Sequence, residues 1–195
     1  MSSYSRVQLE EWLGNIDVPE GAKVVDIGGS QKPITVGRVK TWKASEYKIL
    51  DLPVPHEGVA PDIALDIQNY IEVESDLWNY NFDIAFCLEV TEYWWKPFDA
   101  LRNINSLLKV GGILYISFHF IYPPHKPAGT DYLRYTNQGV MKLLKEAGFG
   151  NLEFTLRFAK NPELLMSFYA CEGMKKLDTE MPDVVGYLIK CTKER

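Results

Sequence analysis

Short apolar runs separated by helix-patterned stretches limit this chain to very few folds. Residues 23–27 (KVVDI), 47–52 (YKILDL), 61–67 (PDIALDI), 82–90 (FDIAFCLEV) and 111–120 (GGILYISFHF) are rich in β-branched and aromatic residues. Each run is apolar almost throughout rather than in alternation. Such a strand hides both of its faces, as in a parallel sheet covered by helices on each side. Two further strands are expected at 152–158 and 184–192.

The intervening segments carry the other period. Leu9, Trp12, Leu13 and Ile16 predict an amphipathic helix within residues 1–20, ended by Pro19-Glu20-Gly21. Leu101, Ile104 and Leu108 mark a second helix, which Gly111-Gly112 are expected to stop. Val140, Leu143, Leu144 and Ala147 mark a third, with Thr136 or Asn137 as its cap and Gly148 at its end. A fourth is expected near 162–176. Strands alternating with helices imply a doubly wound, Rossmann-like α/β sheet that binds ligands at the carboxyl ends of its strands.

Composition narrows the partners. The 195 residues suit a single domain, 1–195. A net charge of −5 argues against nucleic acid as the main partner, because phosphate binding wants a basic face. Cys87, Cys171 and Cys191 form an odd set without CxxC spacing, so neither a disulfide framework nor a zinc knuckle is indicated. A reducing cytoplasm is the expected home. The acidic N-terminal segment has no long apolar core and does not read as a signal peptide. No run approaches the roughly 20 apolar residues that span a bilayer.

The first strand opens into Gly28-Gly29-Ser30-Gln31-Lys32-Pro33. A dinucleotide turn wants G-x-G-x-x-G and a phosphate loop wants G-x-x-x-x-G-K-[ST]. Both patterns fail here. A nucleoside without phosphates fits better, since it needs a close backbone approach and an acid after the second strand for its ribose. Asp51 stands at that place. Asp66, after the third strand, can accept from an exocyclic amine, and Asp26 can hold an ammonium group or order the turn.

Taken in order, "VVDIGGS", "YKILDLP", "DIALDI", "FDIAFCLEVTEYW", "LLKVGGILYISFHF" and "LLKEAGF" resemble the class I S-adenosylmethionine-dependent methyltransferases. The likeness is greatest to the small single-domain branch with a "D-x-G-x-G … E-V-L-E-H … L-K-P-G-G" pattern, and it runs from about Val24 to Lys193. It implies a seven-stranded sheet, mostly parallel, with an antiparallel last strand, and S-adenosylmethionine as cofactor. By position it implies that Asp26, Gly28, Gly29 and Ser30 surround the methionine part. Asp51 and Leu52 would meet the ribose, Asp66 and Ile67 the adenine, and Leu88 and Glu89 the sulfonium. Ser30 stands where the family usually has glycine, and Tyr93 stands in place of a histidine. Tyr93 is expected in the pocket, with at least one of Trp94 and Trp95 used for packing.

The segment 119–136, "HFIYPPHKPAGTDYLRYT", follows the carboxyl end of a central strand and is expected to meet the substrate. It resembles a stretch of methyltransferases often linked to sugar and polysaccharide modification. His119 and His125 have the side chain whose ordinary pKa suits a base for a hydroxyl acceptor. Asp131 can orient one of them or act as base itself. Arg134 can bind a substrate carboxylate or phosphate, and Tyr122 and Tyr132 complete the substrate side. His119, His125 and Asp131 match no standard ligand spacing, so no metal is expected. Together these readings predict an enzyme that methylates an oxygen or nitrogen of a small molecule. Ser30 and Tyr93 keep open a non-catalytic, ligand-binding module.

Overall fold

The computed structural model describes residues 3–34, 43–55, 58–69, 79–124, 129–171 and 183–194. Its strands are β1 (Lys23–Ile27), β2 (Glu46–Asp51), β3 (Ile63–Ala64), β4 (Phe82–Cys87), β5 (Leu108–His119), β6 (Phe149–Phe158) and β7 (Val184–Lys193). They form one seven-stranded sheet in the order β3-β2-β1-β4-β5-β7-β6. The pairs from β3 to β5 are parallel. β7 lies antiparallel between β5 and β6. The Rossmann-like sheet and its reversed last strand are therefore present as expected.

Continuous apolar strands place side chains in two cores. Along β4, Ala85 and Cys87 join one cluster while Ile84 and Phe86 join the other, all within 2% exposure. The helices α2 (Pro97–Leu107) and α3 (Asn137–Glu146) cover the first face through Leu101, Ile104, Val140 and Leu144. α1 (Tyr4–Leu13) covers the second through Leu9 and Leu13. Burying each such leucine or phenylalanine contributes on the order of 1.5–3 kcal/mol.

Local signals set most of the boundaries. Ser3 caps α1 by accepting from Arg6 N at 3.2 Å, and Thr136 caps α3 by accepting from Gly139 N at 3.2 Å. Gly148 follows α3 with φ +89°. Three boundaries differ from expectation. α2 ends at Leu107, ahead of Gly111-Gly112, because Leu108 already pairs with Phe82 in the sheet. β3 keeps only two residues, since the Asp62 carboxylate takes Ile49 N at 2.8 Å in place of a strand carbonyl. β4 stops at Cys87, and Glu89 adopts φ +59°, which turns the chain. The helix expected near 162–176 is described as α4 (Pro162–Cys171).

Candidate functional site

The sheet carries its side chains of interest at the carboxyl ends of β1 to β5. Gly28 follows β1 with φ +72°, and a Cβ there would lie 2.4 Å from Val90 Cγ2. Only glycine accepts both conditions. Gly29 is required for a different reason. A Cβ on it would lie 2.4 Å from Asp26 Cγ. Asp26 is 3% exposed, and its Oδ2 accepts from Tyr47 OH at 2.6 Å and Ile34 N at 3.0 Å. Of the two roles open to Asp26, the hydrogen bonds match ordering of the turn. It lies off the cavity wall.

Asp51 clasps the turn from β2. Its Oδ2 accepts from Ser30 N at 3.1 Å and its Oδ1 from Leu52 N at 2.8 Å. Asp66 Oδ1 accepts from Gln68 N at 3.0 Å, which fixes the bend after β3. Gly28, Asp51 and Asp66 all line one cavity of about 700 Å³. Leu52, Ile67, Glu89 and Tyr93 line it as well. A volume of this order suits a nucleoside-sized ligand with room beside it. Gly29 and the buried Ser30 stand behind the wall, and Leu88 packs in the core beside α1.

Behind Glu89 is a buried ionic cluster. Glu89 Oε1 accepts from Arg157 Nη1 at 2.7 Å and from Ser117 Oγ at 3.0 Å. Glu89 Oε2 lies 3.2 Å from Arg157 Nη2 and 3.4 Å from His119 Nε2. The same His119 nitrogen is 3.3 Å from Glu92 Oε1. His119, Glu92 and Arg157 have no exposure to solvent. Burial raises the Glu89 carboxyl, but the His119 hydrogen bond and the Arg157 charge outweigh it and hold the group well below the usual carboxylate range. Burial likewise opposes charge on His119. Hydrogen bonds to Glu89 and Glu92 and their charges prevail, and the pKa rises to about 9. His119 is thus an imidazolium at neutral pH, placed behind the wall. Burial and then the Glu92 charge push Tyr93 up to about 12, so its phenol keeps its proton.

Arg157 and Glu92 escaped the sequence reading. Arg157 on β6 and His119 on β5 both pair with Gly186 of β7. A Cβ at Gly186 would lie 3.7 Å from Arg157 Cδ and 2.6 Å from Phe118 O. Arg157 therefore reaches over a strand that has no side chain at that level. The signal available beforehand was an Arg and a Gly inside otherwise apolar strands.

The described parts of segment 119–136, residues 119–124 and 129–136, are pinned by their own charges. Asp131 pairs with Arg134 through Oδ1–Nη1 at 2.5 Å and Oδ2–Nη2 at 2.7 Å. Arg134 Nε donates to Tyr122 O, Nη1 to Leu133 O and Nη2 to Pro123 O. All five guanidinium hydrogens are thereby engaged within the loop. Asp131 and Arg134 are absent from the cavity wall, whereas Tyr122 and Tyr132 line it. Tyr132 meets Trp95 edge-on at 5.7 Å. Trp94 is 2% exposed and packs, while Trp95 is 70% exposed. His125 lies outside the described residues.

Among the described residues, no group of three or more His, Cys, Asp or Glu could hold a metal ion. No helix there is long and apolar enough to cross a membrane.

No family model matches this chain. A stretch of 98 residues is 34% identical to 2-methyl-6-phytyl-1,4-hydroquinone methyltransferase 1, chloroplastic, of Oryza sativa subsp. japonica; the match covers 48% of this chain and 29% of the rice protein. It therefore spans less than a third of that relative. Among solved structures, a SAM-dependent methyltransferase from Archaeoglobus fulgidus superposes with TM-score 0.63 at 15% identity, over 98% of this chain and 95% of that one. A Haemonchus contortus phosphoethanolamine N-methyltransferase 2 in complex with S-adenosyl-L-methionine gives TM-score 0.58 at 11% identity, over 97% of this chain and 52% of that one. The fold is the one these class I methyltransferases share.

Proposed function

We propose that this chain transfers a methyl group from S-adenosylmethionine to an oxygen or nitrogen nucleophile of a small molecule. One observation carries the reading: Gly28, Asp51 and Asp66, from three separate strand ends, face the same cavity. Asp51 would hold the ribose hydroxyls, Asp66 and Ile67 the adenine, and the turn at Gly28 the amino-acid arm. Bound there, the cofactor supplies an electrophilic methyl group. The chain's own residues have the tasks of alignment, exclusion of water and acceptance of a proton.

Glu89 presents a carboxylate whose charge is answered from behind by Arg157 and His119, so it suits placing an acceptor oxygen at the cavity wall rather than adding net charge there. Tyr93 offers a phenolic hydrogen rather than an oxyanion. His119, being charged at neutral pH, suits holding Glu89 and Glu92 in place better than taking a proton. Asp131 and Arg134 suit holding the loop. His125 therefore remains our candidate base for a hydroxyl acceptor. Tyr122 and Tyr132 would line the acceptor side, and the likeness of their loop favours a sugar or polysaccharide precursor. The three free thiols, with Cys87 and Cys191 buried and Cys171 exposed, suit a reducing cytoplasm.

A second reading follows from a specific observation. Neither His119 nor Asp131 reaches the cavity wall, so a module that binds the cofactor without turning it over is also consistent. Incubation with isotope-labelled S-adenosylmethionine and a panel of sugar, phenol and amine acceptors separates the two. We expect acceptor-dependent label transfer, matched by released S-adenosylhomocysteine. For a hydroxyl acceptor, His125→Ala should lower turnover by roughly 100-fold or more. Saturable cofactor binding with no transfer to any acceptor would favour the module.

A further inference from the structure

We propose that Arg6 is the anion-reading residue of this cavity, its Nη atoms taking a carboxylate or phosphate group of the molecule bound there. The inference rests on the proposed function, because it asks what else such a ligand must meet.

Charge distribution carries the argument. Asp51, Asp66 and Glu89 are the acids of the cavity wall; Arg157 and His119 answer Glu89 from behind it, and Arg6 is the one cation among the described lining residues. Among the described residues, Asp51 and Asp66 meet only neutral N–H donors, so this wall suits a sulfonium or ammonium group. It would repel a carboxylate or phosphate unless a cation answered it at some point on the wall. Arg134, the residue marked for that task by sequence, has its whole guanidinium engaged within the loop.

Arg6 is differently placed. Its Nε donates to Glu10 Oε1 at 3.1 Å, and no acceptor among the described residues meets its Nη1 or Nη2. Glu10 Oε1 also accepts from Lys32 Nζ at 2.8 Å. One carboxylate thus faces two cations, and Lys32 belongs to the segment just after the glycine turn. The Nε contact orients the guanidinium and leaves its outer edge, with paired N–H donors, for a planar or tetrahedral oxyanion. The arginine stands on α1 beside Ser3, which lines the cavity and meets Tyr122 OH at 3.3 Å. Arg6 is therefore tied to the turn side through Glu10, while its neighbour Ser3 contacts the substrate loop. Two sources of the anion are chemically equivalent at this point: the amino-acid end of the cofactor and an acidic group on the acceptor.

Titration calorimetry on wild type, Arg6→Gln and Arg6→Lys distinguishes them. Arg6 is partly exposed, so the variants should keep the wild-type melting temperature. S-adenosylhomocysteine and 5′-methylthioadenosine, which lacks the amino-acid arm, are titrated separately, and inorganic phosphate is titrated into protein saturated with S-adenosylhomocysteine. A roughly 10- to 100-fold loss of S-adenosylhomocysteine affinity in Arg6→Gln, with methylthioadenosine unchanged and partial recovery in Arg6→Lys, assigns Arg6 to the cofactor's carboxylate. Unchanged nucleoside affinities with phosphate binding lost in Arg6→Gln assign it to the acceptor's anion. No change in any titration overturns the inference. If wild-type protein binds neither nucleoside, the methyltransferase reading fails instead, and phosphate titrated into the free protein still decides the case of Arg6.

Discussion

Arg157→Leu is expected to lower the stability of this protein by roughly 3–5 kcal/mol, the range for removing one partner of a buried ion pair. Urea denaturation should show it as a lower midpoint with little change in slope. The guanidinium bridges three elements: it holds both oxygens of Glu89 after β4, and its Nη2 donates to Ser5 O of α1 at 3.0 Å. Leucine would leave Glu89 facing Glu92 with only His119 and Ser117 to stabilise it. The left-handed backbone at Glu89, φ +59°, would lose its main restraint as well. Combining Arg157→Leu with Glu89→Gln should lose less than the sum of the single changes, because the orphaned charge is gone. A loss under about 1 kcal/mol for Arg157→Leu would mean that the cluster does not secure the wall of the site.

Stability should also fall on the alkaline side, and His119 is the reason. Its folded pKa of about 9 lies above the ordinary histidine value. Protonated His119 therefore stabilises the fold fully below about pH 6.5, and the contribution disappears as pH rises through 9. A difference of this size corresponds to roughly 3 kcal/mol. Glu89 behaves in the opposite sense: its depressed pKa stabilises the fold above the usual glutamate value and is lost as pH falls below it. Glu89, Glu92 and the Tyr122 ring, stacked 4.4 Å away, face His119. Urea midpoints measured from pH 6 to pH 10 should decline through this window in wild type and decline much less in His119→Gln. Equal slopes for the two proteins would remove His119 as the titrating group.

The sequence conveyed the parts of this molecule that depend on neighbours along the chain. Runs such as FDIAFC announce a strand buried on both faces, and β4 divides its residues between two cores as that pattern requires. Gly28-Gly29 and the acids closing β2 and β3 could be seen because their positions follow from strand ends. What stayed hidden depends on register across the sheet. Glu89 and Arg157 are 68 residues apart, and they meet because β7 inserts between β5 and β6 with Gly186 at the crossing. His119 looks like a base in the sequence, yet two glutamates and full burial make it a held cation. Arg134 looks like a substrate anchor, yet an aspartate three residues away and three carbonyls of its own loop take its hydrogens. Composition reports none of these partnerships.

Titration of S-adenosylhomocysteine into wild-type protein and into Asp51→Ala tests most directly whether the strand ends build a nucleoside site. A single saturable site is expected in wild type, with affinity weakened roughly tenfold or more once the carboxylate is gone. Absence of binding heat at millimolar ligand, or equal affinity in the two proteins, would contradict the account.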